Sequence, residues 1–283
     1  MPELPEVETT LRGIEPYILN QKITQFVIHN CKLRWPVDEK LADLLPGLKV
    51  NTVERRGKYI LITTELGVLM IHLGMSGNLK VLKQAIPLLK HDHVEIEMSN
   101  GYVLRLNDPR RFGSVLWHDL KEGPIQSHKL LIKLAPEPLS DEFSADYLYP
   151  LINKRKTNIK TLVMNSHLIV GAGNIYANEA LFSSAIHPET PANCITKKQC
   201  ELLVTNIKKV LKQSIEQGGT TLKDFLKPDG KPGYFEQQLN VYGREGQECV
   251  TCGTIIEKTV ISQRSTFYCP SCQNLCTQPS EAK

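Results

Sequence analysis

Cys249-Val-Thr-Cys252, then sixteen residues, then Cys269-Pro-Ser-Cys272: the chain ends in two C-x2-C pairs. Two such pairs at this separation match the four-cysteine structural zinc pattern. Each pair supplies two thiolates from one tight turn, and two pairs close a tetrahedron. Gly253 follows the first pair and Pro270 lies inside the second, as tight turns favour. With all four positions filled by protein, Cys249, Cys252, Cys269 and Cys272 are expected to hold one zinc ion that is structural and not catalytic. The competing reading, disulfides or free thiols, loses ground in a reducing compartment. The other four cysteines, Cys31, Cys194, Cys200 and Cys276, are scattered. Cys276 lies four residues past the last ligand and could compete for metal if Cys272 were lost.

Between the pairs, Thr254–Ile261 is rich in β-branched residues and Thr266–Tyr268 returns as a second strand, with turn character over Ser262–Arg264 and Ser265. This predicts a hairpin with zinc at its base and Arg264 near its tip. An arginine held there suits a phosphate, although an exposed turn arginine with no partner is the commoner case.

Upstream, the chain reads as two halves. Residues 3–19 pattern as an amphipathic helix with Val7, Leu11, Ile14 and Ile18 on one face. Strand signals follow at 23–30, 48–56, 59–64, 67–73, 78–82, 93–98 and 102–106, with Ser-Asn-Gly at 99–101 as a hairpin turn. Short strands this dense predict an antiparallel sandwich or barrel. After a Pro- and Asp-containing stretch, helices take over: 157–166, Asn174–Ala185 behind the glycine turn 170–174, and a third opened by the capping box Thr196–Gln199 and ended by Gly218-Gly219. Helix, glycine turn, helix can aim N-terminal amides at a DNA phosphate, though many helical hairpins bind nothing. The class is therefore α+β.

Charge adds a weak hint. Residues 1–150 carry 18 Lys and Arg against 19 Asp and Glu, while 151–283 carry 16 against 11. The basic excess of the second half is compatible with a polyanion partner. No apolar run reaches the roughly 18 residues of a membrane span. The opening MPELPEVETT has no apolar core of a signal peptide, which leaves the cytoplasm as the expected compartment.

The second residue is proline. Initiator methionine is usually removed before so small a residue, which would leave Pro2 as a free secondary amine. An α-amino group titrates near 8 against roughly 10.4 for lysine, so about a tenth is unprotonated at neutral pH. Such an amine can attack a sugar C1′ and form an iminium, with Glu3 and Glu6 nearby as proton carriers. The bland alternative is a helix-opening proline.

Set together, Met1–Glu8 (MPELPEVE), Arg34–Val37 (RWPV), Ile71–Gly77 (IHLGMSG), Lys90–Val94 (KHDHV), Asp108–Gly113 (DPRRFG), Gly173–Tyr176 (GNIY), Ser214–Asp224 (SIEQGGTTLKD), Asp229–Tyr234 (DGKPGY), Val241–Arg244 (VYGR) and the cysteine module run in one colinear order. In these stretches the sequence resembles the bacterial formamidopyrimidine-DNA glycosylase family. Asn107 stands where that family favours threonine, and Ala172 where valine is common.

The resemblance implies an N-terminal antiparallel β-sandwich with a flanking helix, then a helix-two-turn-helix domain with a β-hairpin zinc finger. Domain limits expected on this basis are 1–134 for the sandwich, 135–156 for a linker, 157–235 for the helical domain, 236–276 for the zinc finger and 277–283 for a tail. It implies excision of oxidised purines from double-stranded DNA by a monomer, through a Schiff base on Pro2 followed by β,δ-elimination. Pro2 would be the nucleophile, Glu3 the general acid at the opening sugar, Lys58 a proton donor in β-elimination, and Arg264 an aid to δ-elimination. His91, Arg110 and Arg155 (within the run 154–156) would contact DNA, His72 and Asn174 the phosphates flanking the flipped nucleotide, and Lys160 the lesion pocket. Met75, Arg110 and Phe112 would fill the gap left by the extruded base. Residues 217–224 would close over the damaged base as a lid. Two rivals remain: the sister activity on oxidised pyrimidines, and a DNA-binding zinc protein without catalysis.

Overall fold

The computed structural model describes residues 2–83, 86–218 and 239–276. They divide into two compact units. One comprises the described residues up to Ile132 together with Gln217 and Gly218; the other runs from Lys133 to Glu216 and resumes after residue 238. The expected lid, 217–224, and Asp229–Tyr234 fall outside the described residues apart from Gln217 and Gly218.

The first unit opens with α1 (Leu4–Ile18), which buries Val7, Leu11, Ile14 and Ile18 as its periodicity requires. Its start is fixed by Glu6, whose Oε2 accepts from the backbone N–H of Glu3 at 2.8 Å, one half of a capping box. Then come β1 (Ile23–Ile28), the one-turn helix α2 (Leu41–Leu44), β2 (Thr52–Arg56), β3 (Tyr59–Thr63), β4 (Gly67–His72), β5 (Asn78–Lys83), β6 (Asp92–Met98), β7 (Tyr102–Asn107) and β8 (Ser114–Asp119). They form two four-stranded antiparallel sheets, ordered β1-β6-β7-β5 and β2-β3-β4-β8. One apolar core joins the inner faces, with Phe26, Ile96, Leu104 and Leu106 from one sheet and Ile60, Ile62, Leu69, Ile71 and Val115 from the other; α1 packs into the same core. β8 was not expected. Its Ser114, His118 and Asp119 blunt the alternation, and it becomes a strand by pairing with distant β4, Ile71 facing Val115.

The second unit is helical: α3 (Ala145–Ile152), α4 (Ile159–Val163), α5 (Asn174–Ser183) and α6 (Lys197–Glu216), followed by the hairpin β9 (Glu257–Ile261) and β10 (Arg264–Tyr268). α3 lies inside the stretch read as a linker. Ser144 caps it by accepting from the Tyr147 N–H, and Leu148 and Ile152 are buried, so this stretch has packed structure of its own. The capping box before α6 is present: Gln199 Oε1 accepts from Thr196 N at 2.9 Å and Thr196 Oγ1 from Gln199 N at 3.2 Å. The hairpin turn is tighter than its sequence suggested. Only Ser262 and Gln263 lie in it, with φ of 49° and 60°, and Ile261 pairs with Arg264. Two consecutive positive φ values match a two-residue turn that follows the strand twist. Arg264 is thus the first residue of β10, and it is exposed.

Candidate nucleic-acid interface and zinc centre

The four sulfurs of Cys249, Cys252, Cys269 and Cys272 lie within 4.8 Å of one another. The closer pairs are Cys252–Cys272 at 3.4 Å, Cys252–Cys269 at 3.5 Å and Cys249–Cys272 at 3.9 Å. A tetrahedron of zinc–sulfur bonds near 2.3 Å requires sulfurs about 3.8 Å apart, so the set fits one zinc ion. The donor chemistry agrees, because four thiolates select zinc over harder metals. Around them is only a small core, Val241, Ile256 and Phe267 with two of the cysteines.

The helices hold that hairpin by polar bonds. Lys160 is fully buried, and its ammonium donates to the carbonyl of Ser265 at 3.0 Å and to Thr266 Oγ1 at 2.6 Å. Asn174 Nδ2 donates to the same Ser265 carbonyl at 2.9 Å. Asn178 Oδ1 accepts from Phe267 N at 2.8 Å, and Thr161 Oγ1 meets Ser262 Oγ at 3.0 Å. Lys160, expected at the lesion pocket, here braces β10, and the amide nitrogen of Asn174, expected at a phosphate, donates to the same Ser265 carbonyl. Arg155 lies exposed between α3 and α4.

In the first unit, Lys58 sits in the two-residue turn joining β2 and β3, after Gly57 at φ 58°. His72 ends β4 opposite Tyr59, their rings 4.8 Å apart. Burial first, then the charges of Lys58 and Arg34, push the His72 pKa down to about 4. Its Nδ1 accepts from the Gly74 N–H at 3.0 Å, so the neutral ring carries its proton on Nε2, as a donor. Lys58 and Arg34 thus lie near enough to His72 for their positive charges to disfavour its protonation. Pro2 and Glu3 are both buried at the head of α1.

Met75, Arg110 and Phe112 come from two loops that lock together. Asp108, wholly buried, accepts from Ser76 Oγ at 2.7 Å and Gly113 N at 2.7 Å, and also from Arg110 N at 3.3 Å. Gly74, at φ +63°, approaches so closely that a Cβ there would lie 2.3 Å from the Phe112 carbonyl carbon. The result presents Met75 half-buried and Phe112 45% exposed, with the Arg110 guanidinium 5.1 Å above the Phe112 ring. His91 takes a left-handed φ of 77° and its carbonyl accepts from Asp108 N at 3.0 Å, which ties it to the same assembly.

Sequence reasoning missed three residues here. Asp108 was quoted within a motif but given no task. Arg34 was treated the same way. Glu179, buried on α5, accepts from four N–H groups, those of Asn240 N, Asn240 Nδ2, Val241 N and Tyr242 N, at 2.9 to 3.0 Å. An acid on an otherwise apolar helix face was the available signal.

Three family models match in order: the formamidopyrimidine-DNA glycosylase N-terminal domain over residues 1–115, the formamidopyrimidine-DNA glycosylase H2TH domain over 134–226, and the zinc finger found in FPG and IleRS over 246–275. The chain belongs to the formamidopyrimidine-DNA glycosylase family. A formamidopyrimidine-DNA glycosylase of Hydrogenovibrio crunogenus is 57% identical over 273 residues, covering 96% of each chain. One from Escherichia coli is 54% identical, covering 96% of this chain and all of its own. Among solved structures, the MutM (Fpg) protein of Thermus thermophilus superposes with a TM-score of 0.85 at 35% identity, covering 98% of this chain and 100% of its own. The Lactococcus lactis Fpg in complex with DNA containing an abasic site gives 0.88 at 30% identity, covering 96% and 100%. Membership in this glycosylase family accounts for the mixed α and β architecture and for the four-cysteine centre. No helix among the described residues is long and apolar enough to cross a membrane.

Proposed function

We propose that this protein is a bifunctional DNA glycosylase and AP lyase that excises oxidised purines, including formamidopyrimidines, from duplex DNA. The observation that carries the reading is the unbroken order of all three family models on one chain whose relatives bear that name over nearly full length. A solved Lactococcus lactis relative is bound to Fapy-dG containing DNA. The protein would work on chromosomal DNA in the cytoplasm.

The residues divide the chemistry as follows. The Pro2 nitrogen attacks C1′ and the base leaves; Glu3 gives a proton to the sugar ring oxygen as the ring opens to the iminium. Loss of a C2′ proton expels the 3′ phosphate, with Lys58 as the proton donor, and a second elimination with loss of the C4′ proton expels the 5′ phosphate, whose negative charge Arg264 offsets. Arg34 and the Nε2 proton of His72 add donors to a phosphate beside Lys58. Met75, Arg110 and Phe112 enter the stack where the base departs. Zinc supplies rigidity to β9 and β10 and takes no part in bond changes.

Borohydride trapping on an 8-oxoguanine duplex tests lesion recognition and the nucleophile together. A covalent adduct is expected from the wild type and none from a protein whose Pro2 amine is blocked by a tag left upstream of it; Glu3→Gln should bind DNA without excising the base. No adduct from the wild type would leave a DNA-binding protein without catalysis. Faster removal of thymine glycol than of 8-oxoguanine would assign the pyrimidine activity instead.

A further inference from the structure

One edge of the sheet β2-β3-β4-β8 belongs to none of this chemistry. β8 closes that sheet and has a strand neighbour on one side only. Leu120 N donates to the Leu66 carbonyl at 3.0 Å, which extends the ladder between β4 and β8 by one position. Bonded and non-bonded pairs alternate in an antiparallel ladder. Ser114, Leu116 and His118 therefore turn their backbone groups to β4, and Val115, Trp117 and Asp119 turn theirs outward. The Gly113 carbonyl, one of the outward set, accepts from the Arg34 N–H at 3.0 Å. Past that bond, no strand among the described residues pairs with this edge.

A cavity of about 550 Å³ lies along the outward positions Val115 and Trp117. That size falls within the range of roughly 300 to 1,000 Å³ usual for binding pockets. Trp35 and Trp117, the only tryptophans in the sequence, both line it. Trp117 is seated over Gly67, where an added Cβ would lie 2.3 Å from its Cζ2. The ring of Trp35 already carries a guanidinium, that of Arg34, 4.7 Å from its centroid. Asp38, Asp119 and Glu122 line the same cavity against one lysine, Lys129. The lining is thus acidic on a chain whose net charge is +4. Such a lining repels a phosphate backbone and attracts a basic chain.

We propose that this groove binds an extended segment of a partner protein, one bearing arginine or lysine, which adds as a strand beside β8. The outward N–H and C=O groups of Val115 and Trp117, two positions about 7 Å apart along the strand, pair with the backbone of the incoming segment. Its alternate side chains meet the three carboxylates and stack on the two indoles, as Arg34 does on Trp35. Backbone pairing supplies the affinity, and the carboxylates and indoles supply the preference for basic side chains. The consequence is a recruitment site that takes protein and not nucleic acid. All of its residues belong to the first unit, and it stands independently of the proposed glycosylase activity.

The test uses the full zinc-loaded protein without DNA and follows its intrinsic tryptophan fluorescence, which both indoles of the groove supply. The probe is a short synthetic peptide of alternating arginine and valine. It is compared with a glutamate–valine peptide and with an arginine–valine peptide N-methylated at every amide. A saturable change is expected from the first and none from the second. Binding of the methylated peptide should be about tenfold weaker, because the strand-pairing bonds are lost. Glu122→Lys, at a side chain 74% exposed, should weaken the arginine peptide several-fold and leave the melting temperature unchanged. No saturable change with the arginine peptide would overturn the proposal. So would equal binding of the glutamate peptide, undiminished binding of the methylated one, full affinity in Glu122→Lys, or displacement of the peptide by duplex DNA.

Discussion

The two units hold their exposed side chains by different means. In the first, the loops of Met75 and Phe112 rest on a large apolar core, and one buried carboxylate, Asp108, gathers their backbone and side-chain donors. In the second, Arg264 stands on a two-stranded hairpin whose apolar core is a handful of residues. An isolated hairpin is marginal in water. Four cysteines at its base and the buried Lys160 along its strand take the place of a core. A sandwich can thus place a loop by packing, whereas a module this small needs a metal and charge-assisted bonds.

That contrast can be broken at four places. The largest effect is expected from Cys269→Ser. Structural zinc sites of this kind carry on the order of 10 kcal/mol of metal-binding free energy, so zinc content should fall and the hairpin should lose its shape while the sandwich melts as before. A sandwich that unfolded with the module would show that the two are not independent. Next is Gly74→Ala, which forces a Cβ onto the Phe112 backbone at a left-handed φ. A cost of about 3 kcal/mol is expected in a thermal melt, with weakened lesion binding; an unchanged melt would mean that the loops relax freely.

Lys160→Met should cost less, about 2 kcal/mol, by leaving the Ser265 carbonyl and Thr266 hydroxyl short of a donor. Its signature would be a reduced salt slope of DNA binding with zinc retained, because Arg264 is displaced while the metal stays. Loss of base excision with the salt slope intact would instead support the expected place of Lys160 at the lesion pocket.

The smallest effect is one of pH. The His72 pKa is held near 4, below its ordinary 6.5, so the unfolded chain binds the extra proton between those values. The stability contribution is complete above 6.5 and is lost as pH falls toward 4; at pH 5.5 the loss is about 1.4 kcal/mol. His72→Asn should flatten the fall in melting temperature over that window, and parallel curves for both proteins would exclude His72 as its source.

Legibility followed the range of the interactions. The zinc ligands were readable because each pair is local and spacing alone defines the geometry. α1 and the capping box of α6 were readable for the same reason. β8 was not, because its partner β4 lies some forty residues earlier and its polar residues hide the alternation. The bonds of Lys160 to β10 were not legible, because Ser265 and Thr266 lie more than a hundred residues away in the sequence. Asp108 and Glu179 were passed over since a buried acid with backbone partners looks in sequence like any other acid.

Asp108 also bears on how the protein can be redesigned. One carboxylate is shared by Ser76 on one loop and by Arg110 and Gly113 on the other. Neither loop is therefore a separable part: a segment transplanted from a relative at 74–77 without its matching 108–113 would leave the shared acid with the wrong company, and the two must be exchanged as one cassette.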